Sequence, residues 1–141
     1  MSRKTYIFVI SLVIALFFQS CALFPFSQMD PLDGSAWELV LMRESAPIAG
    51  RPITIAFSGG DAHGSSGCNS YSGQYEINGD RIAFGPLAMT EMACMDSGVM
   101  DQEMEYLSFL SEVVFFELRG ESLVLQQEIQ DQLIFKNIPA Q

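Results

Sequence analysis

The chain has 141 residues, enough for one domain with a real core and too few for two of ordinary size. Hydrophobic residues reach 49%, which excludes a disordered or low-complexity chain beyond a short tether. A net charge of -10, with the basic residues beyond Lys4 standing singly, excludes a nucleic-acid partner, whose phosphates need clustered cations.

Arg3 and Lys4 precede an uncharged run from Tyr6 to Phe18, followed by Gln19, Ser20 and Cys21, the plan of a secretory signal. A cysteine directly after a small residue at the cut is where bacterial lipoprotein processing attaches acyl chains. The segment therefore resembles a lipobox, although Phe18 and Gln19 replace the usual Leu and small or aliphatic residue. Residues 1–20 are read as a signal peptide and residues 21–32, with Pro25 and Pro31, as the lipidated Cys21 and a tether. An uncleaved anchor would need roughly 20 apolar residues, more than Tyr6 to Phe18 supplies. Cys21 then fixes the chain to a membrane, since each buried methylene contributes about 0.8 kcal/mol. Cleavage leaves five basic against 17 acidic residues, a net charge of -12. Ala22 in place of Asp resembles the sorting pattern of Gram-negative lipoproteins bound for the outer membrane, facing the periplasm.

From Ser35 the chain alternates apolar and polar residues between turn signals, the mark of strands with one face buried. Trp37, Leu39 and Leu41 form one run; Ile53, Ile55 and Phe57 form the next. Gly59 to Gly67 is read as a mobile surface loop whose glycines permit positive φ, and it lacks the ending of a phosphate loop. Tyr71, Gly73, Tyr75 and Ile77 continue the alternation, and Asn78-Gly79 leads into Arg81 to Phe84 as a hairpin. Ala88 to Cys94 is a further candidate strand. Val99 to Val113 has no Gly or Pro and sets Met100, Met104, Leu107 and Leu110 at helical spacing, with Asp96 or Ser97 as the cap and Asp101 in the first turn. Phe116 and Leu118, Leu123 and Leu125, and Leu133 and Phe135 mark three closing strands, reversed at Gly120-Glu121 and Gln130-Asp131. The short links make neighbours antiparallel. The order is four or five strands, a helix and three strands.

Few residues offer chemistry. Cys68 and Cys94 form an even pair in an exported chain, which favours a disulfide over two buried thiols or a zinc pair. Zinc lacks ligands, because only His63 could add an imidazole and neither cysteine has CxxC spacing. His63 beside Ser65 and Ser66 suggests a base and nucleophile, yet neighbours in one loop rarely reach the separations a catalytic array needs. Asp30 and Asp33 lack the spaced oxygens of a calcium loop. Trp37, Phe57, Tyr75, Phe84 and Phe135 read as core, with a binding stripe as the lesser reading. Glu103 stands out: at about 100° per residue it lies between Leu107 and Leu110 on the apolar stripe, beside Met100. A carboxylate there must accept hydrogen bonds, and the glycine-rich turn before Cys68 has amides to give. A latch between helix and sheet is the preferred reading, with a ligand-facing or catalytic carboxylate as the alternative.

Leu32-Asp33-Gly34 with Trp37-Glu38-Leu39, Ile55-Ala56-Phe57, Gly67-Cys68-Asn69 with Tyr71-Ser72-Gly73-Gln74-Tyr75, Phe84-Gly85-Pro86-Leu87-Ala88, Thr90-Glu91-Met92-Ala93-Cys94, and Glu103 with Leu107 resemble the META domain family, which includes HslJ-like heat-shock proteins. The resemblance spans Leu32 to Phe135, and the pairing of the GCN and TxMAC motifs is its most specific part. It implies a mostly β (α+β) fold over residues 33–138: an antiparallel, barrel-like sheet of about seven to eight strands with one packed helix. It also implies a Cys68 to Cys94 disulfide and an acidic residue at Glu103; Glu103 and Asn69 of the GCN motif are the structural or candidate site residues. The family is associated with stress, drug tolerance, secretion and virulence, without an agreed reaction.

The expectation is a non-catalytic envelope lipoprotein that uses no cofactor or metal. Its partner would be an envelope protein or an apolar ligand, in stress tolerance or secretion. A lipid or small-molecule carrier, similar to pilot lipoproteins of secretion systems, is one alternative; the eight methionines would suit its pocket or an ordinary core. A hydrolase inhibitor that inserts the Gly59 to Gly67 loop is another.

Overall fold

The computed structural model describes residues 29–128 and 131–139. Cys21, the signal-like segment, most of the tether and Gln130 of the last expected reversal lie outside these residues.

Nine strands and one helix are present among the described residues: β1 (Ala36–Met42), β2 (Thr54–Ser58), β3 (Asp61–Ser65), β4 (Ser70–Asn78), β5 (Arg81–Phe84), β6 (Ala88–Met89), α1 (Val99–Ser111), β7 (Phe115–Arg119), β8 (Ser122–Gln126) and β9 (Gln132–Ile138). The sheet runs β3-β2-β1-β9-β8-β7-β5-β4, and β4 pairs back onto β3. Eight antiparallel strands thus close a barrel, and β6 adds a short ninth strand on β4. Closure leaves no long unpaired edge. The narrowest seam joins β5 to β7 through the Arg81–Phe115 pair, with Ile82 N donating to Val114 O at 3.0 Å and Phe116 N to Asp80 O at 3.0 Å.

Alternation sends Trp37, Leu39, Ile53, Ile55, Phe57, Tyr71, Tyr75, Leu123, Leu125, Leu133 and Phe135 into the barrel, where all are buried. Each large apolar side chain contributes roughly 1.5–3 kcal/mol on burial. In β1 the pattern shifts. Leu39 pairs with Phe135 and Leu41 with Ile134, so Val40 is an extra residue, and Met42 rather than Leu41 turns fully inward. The β4–β5 hairpin pairs Asn78 with Arg81, so its two-residue loop is Gly79-Asp80, with Gly79 at φ 66° in the place that favours glycine in a type II′ turn.

Four expectations are corrected. The stretch from Gly59 to Gly67 is not a mobile loop. Gly59-Gly60 is the tight turn of the β2–β3 hairpin, and Asp61–Ser65 is a strand paired on both sides. Gly64 is needed there because a Cβ would sit 2.0 Å from the Thr54 carbonyl oxygen. Between Ala88 and Cys94 only Ala88–Met89 pairs as strand. The helix buries Val99, Gln102, Glu103, Tyr106, Phe109 and Leu110, while Met100 and Met104 face outward. Its N-cap is Gly98 at φ 80° with no side-chain cap, and Asp96 instead pairs with Arg51.

α1 lies across one end of the barrel. Its N-terminal half meets the β3–β4 turn, and the chain beyond its C-terminus bonds β5 and β8, where Val114 N donates to Gln126 O at 2.9 Å. Phe109, Leu110 and Tyr106 plug that end; Tyr71 donates to Thr54 O at 3.0 Å, so the 2.6 Å contact between the two tyrosine hydroxyls has Tyr106 as donor. The chain enters at the other end. Asp30 bonds the Tyr75 hydroxyl and accepts from Leu32 N at 2.8 Å, while Asp33 accepts from Gly59 N at 2.7 Å beside the β2–β3 turn.

Candidate functional site

The densest polar cluster lies under the helix, at the β3–β4 turn. Ser66 N donates to Asn69 O at 2.8 Å, and Gly67 at φ 100° lets the chain reverse. That reversal aims the Asn69 amide and side chain at α1. Glu103 Oε2 accepts from Asn69 N at 2.8 Å, Oε1 accepts from Asn69 Nδ2 at 2.8 Å, and the Ser66 hydroxyl also meets Oε2. Burial of the carboxyl, which is 1% exposed, pushes its pKa up; the Ser66 and Asn69 hydrogen bonds outweigh burial and hold it below the ordinary 4.5.

Asn69 carries the network on into the segment after β6. Its Oδ1 accepts from Thr90 Oγ1 at 2.7 Å and Met92 N at 2.7 Å, and Nδ2 donates to Met92 O at 3.1 Å as well as to Glu103. Both side-chain donors and both acceptor positions are therefore filled. An Asp here would lose both donors, and one would face the Glu103 carboxylate. Cys68 and Cys94 form a disulfide with an S–S distance of 2.06 Å, tying the same two segments covalently one residue away.

The expected latch residues and both cysteines thus come together. The donors to Glu103 come from Ser66 and from Asn69, after Cys68, rather than from the glycines before it. Sequence reasoning missed Ser66, Thr90 and Gln102. Thr90 stands inside the TxMAC motif, which was its only signal. Gln102 accepts from Ile48 N at 2.7 Å, fixing the β1–β2 connection to the helix. The idea of a His63 base with Ser65 or Ser66 is not supported by placement. His63 is exposed on β3, Ser65 Oγ accepts from Gly67 N at 3.1 Å, and Ser66 is buried in the latch. Glu103 is likewise committed to internal donors, an arrangement suited to holding helix, turn and loop together.

The interior is occupied. Phe57, Phe109, Phe135, Leu125 and Leu133 are at most 1% exposed within one continuous cluster. Among the described methionines only Met42 joins that core.

Comparison with solved structures places this architecture among known ones. An NMR structure of a protein from Burkholderia xenovorans matches with a TM-score of 0.64 and 29% identity, over 83% of this chain and 98% of that one. A second NMR structure matches at 0.61 with 22% identity, over 74% and 90%. A crystal structure of a DUF4847 family protein from Bacteroides vulgatus matches at 0.57 with 14% identity, over 79% and 96%, and shares the fold alone. Comparison with curated proteins finds no match. The META domain profile matches residues 30–139, a span that holds the whole barrel, the helix and the Asn69–Glu103 network. On that match the chain belongs to the META domain family.

Proposed function

We propose that this META domain is exported, is held to a membrane through a lipidated Cys21, and acts without catalysis by presenting its helix-plugged end to an envelope protein or an apolar ligand, in stress tolerance or secretion. The observation that carries the reading is the polarity of the barrel. The chain enters at Asp30, clasped to Tyr75 and the β2–β3 turn, whereas α1, the disulfide and the exposed segment after β6 lie at the far end of β3 and β4. A tether of roughly 35 Å at full extension keeps the entry end close to the bilayer. The plugged end is then turned away from the membrane and open to a partner. The occupied interior favours this surface reading over a carrier.

Fractionation of cells that express the wild type and Cys21→Ser tests it. The wild type should sediment with membranes and incorporate labelled acyl chains, and the variant should be released without label. Acyl labelling that persists in the variant would overturn the anchor. Photo-crosslinking from Met104 and, for contrast, from Leu118 tests the surface: adducts formed equally from both would remove the assignment to the plugged end.

A further inference from the structure

With its buried side turned to the barrel, α1 sets Met100, Met104, Leu107 and Ser111 on one outer strip and Asp101 and Glu105 on the strip beside it. At about 100° per residue the first four fall within an arc of about 60°. They follow one another at steps of four, three and four, the spacing at which one helix seats along another. Side chains at such steps stand roughly 5–6 Å apart at Cβ, so the helix backbone itself joins Met100, Met104 and Leu107 into one apolar ridge. Met100 and Met104 are 37% and 66% exposed, and Leu107 is half-buried beneath them.

Charge decides what can lie on that ridge. Every cationic side chain after Lys4 is engaged within the chain: Arg43 by Glu105 and Asp131, Arg51 by Asp96, Arg119 by Glu117, Lys136 by Glu38, and Arg81 over the Phe115 ring. α1 contains no Lys or Arg. The Asp101 carboxylate, next to the ridge, has no ion-pair or hydrogen-bond partner among the described residues. The surface therefore offers apolar contact and negative charge and has no cation to spare. A second copy of this chain or an anionic bilayer would be repelled, and a wholly apolar partner would strip water from Asp101 without replacing it.

We propose that this strip seats a cationic amphipathic helix of a partner protein, with the partner's apolar side chains on the Met100–Leu107 ridge and its Lys or Arg beside Asp101. This assigns a partner chemistry to the plugged end and rests on that end being the working surface. Methionine, with three rotatable bonds, fits more than one set of apolar anchors, while Asp101 selects for charge and fixes the register. The seat is independent of the lipid anchor.

Two synthetic helices test this on the full chain. Both carry one stripe of Leu at steps of four and three on an Ala background, one with Lys and the other with Glu on the flanks. All titrations use one fixed concentration of a non-ionic detergent, so that partition into micelles is common to every arm. With the methionine methyls labelled with carbon-13, the Lys helix should saturate at one equivalent, shift the Met100 and Met104 signals and leave Met42 unmoved. The Glu helix should not saturate. Raising the salt from about 0.02 M to about 0.5 M should weaken the Lys helix about tenfold. Met100→Gln combined with Met104→Gln, and separately Asp101→Lys, should keep the wild-type melting temperature and each weaken binding at least about tenfold. Equal binding of the Glu helix, full affinity in the double methionine variant or in Asp101→Lys, or shifts confined to other methionines would each overturn the proposal. Crosslinks in cells that favour Met104 over Leu118, with no saturable binding of the Lys helix, would overturn the cationic partner and leave the plugged end as the working surface. Crosslinks formed equally from both would overturn that surface itself.

Discussion

Replacing Glu103 tests how the barrel holds its helix. The carboxylate receives Asn69 N and Asn69 Nδ2, each at 2.8 Å, and the Ser66 hydroxyl, all in a buried setting. Glu103→Ala strands these donors and opens a small void. A buried donor left unpaired costs about 1–3 kcal/mol; Ser66 can turn to Asn69 O and Asn69 Nδ2 keeps Met92 O, so the Asn69 amide bears most of the loss. The expected destabilisation is about 1–3 kcal/mol, a large part of a small domain's stability. Glu103→Gln keeps one oxygen for Asn69 N but sets an NH2 against Asn69 Nδ2, and should cost about 1–2 kcal/mol. The pH dependence has a definite sign. A carboxyl whose folded pKa lies below its unfolded value of about 4.5 contributes stability in full above that value, and loses it as pH falls through the folded pKa. Urea denaturation from pH 7 to pH 3 should show a steeper loss of stability in the wild type than in Glu103→Gln. Changes below about 0.5 kcal/mol for both variants, or equal pH slopes, would refute the latch.

Reduction, or Cys68→Ser with Cys94→Ser, should cost about 3.5 kcal/mol on the chain-entropy estimate for a separation of 26, read as a fall in the urea midpoint with a steeper slope, because the freed unfolded chain exposes more surface. Intact-mass measurement after alkylation of the unreduced protein should find neither cysteine modified. Gly64→Ala should force β2 from β3, because the new methyl meets the Thr54 backbone; a loss of about 3 kcal/mol is expected, and an unchanged melting temperature would contradict that close approach.

Much of the fold was legible because an antiparallel barrel writes its inward face as a period of two. Ile53, Ile55 and Phe57 are such a case. What failed was governed by contacts remote in sequence. Gly64 looked like loop composition, but its function is to let the backbone of Thr54 approach. On α1, Val99, Gln102, Glu103, Tyr106, Phe109 and Leu110 form a perfectly regular helical face. The face was misassigned because two of its members are polar and the competing methionines are not. Glu103 itself was legible as an anomaly, whereas Asn69 was visible only through its motif: nothing local shows that an Asn will bond a helix, a threonine and a loop backbone together.

The disulfide and the latch fix the same junction by different physics, and this gives a further prediction. The bridge acts mainly by restricting the unfolded chain, whereas the latch acts by satisfying buried donors in the folded one. If the bridge were also needed to aim Asn69 at Glu103, removing it would weaken the latch, and the two losses would be coupled. Asn69 has other supports: its carbonyl accepts from Ser66 N at 2.8 Å, its side chain is bonded to Met92, and Ser70 beyond it already pairs with Ser65. The geometry of the latch should therefore survive reduction. A double-mutant cycle between Glu103→Gln and the paired cysteine-to-serine change should be additive within about 0.5 kcal/mol, despite the adjacency of Cys68 and Asn69. Coupling above about 1 kcal/mol would show that the bridge positions the network and that the latch and the disulfide are one device.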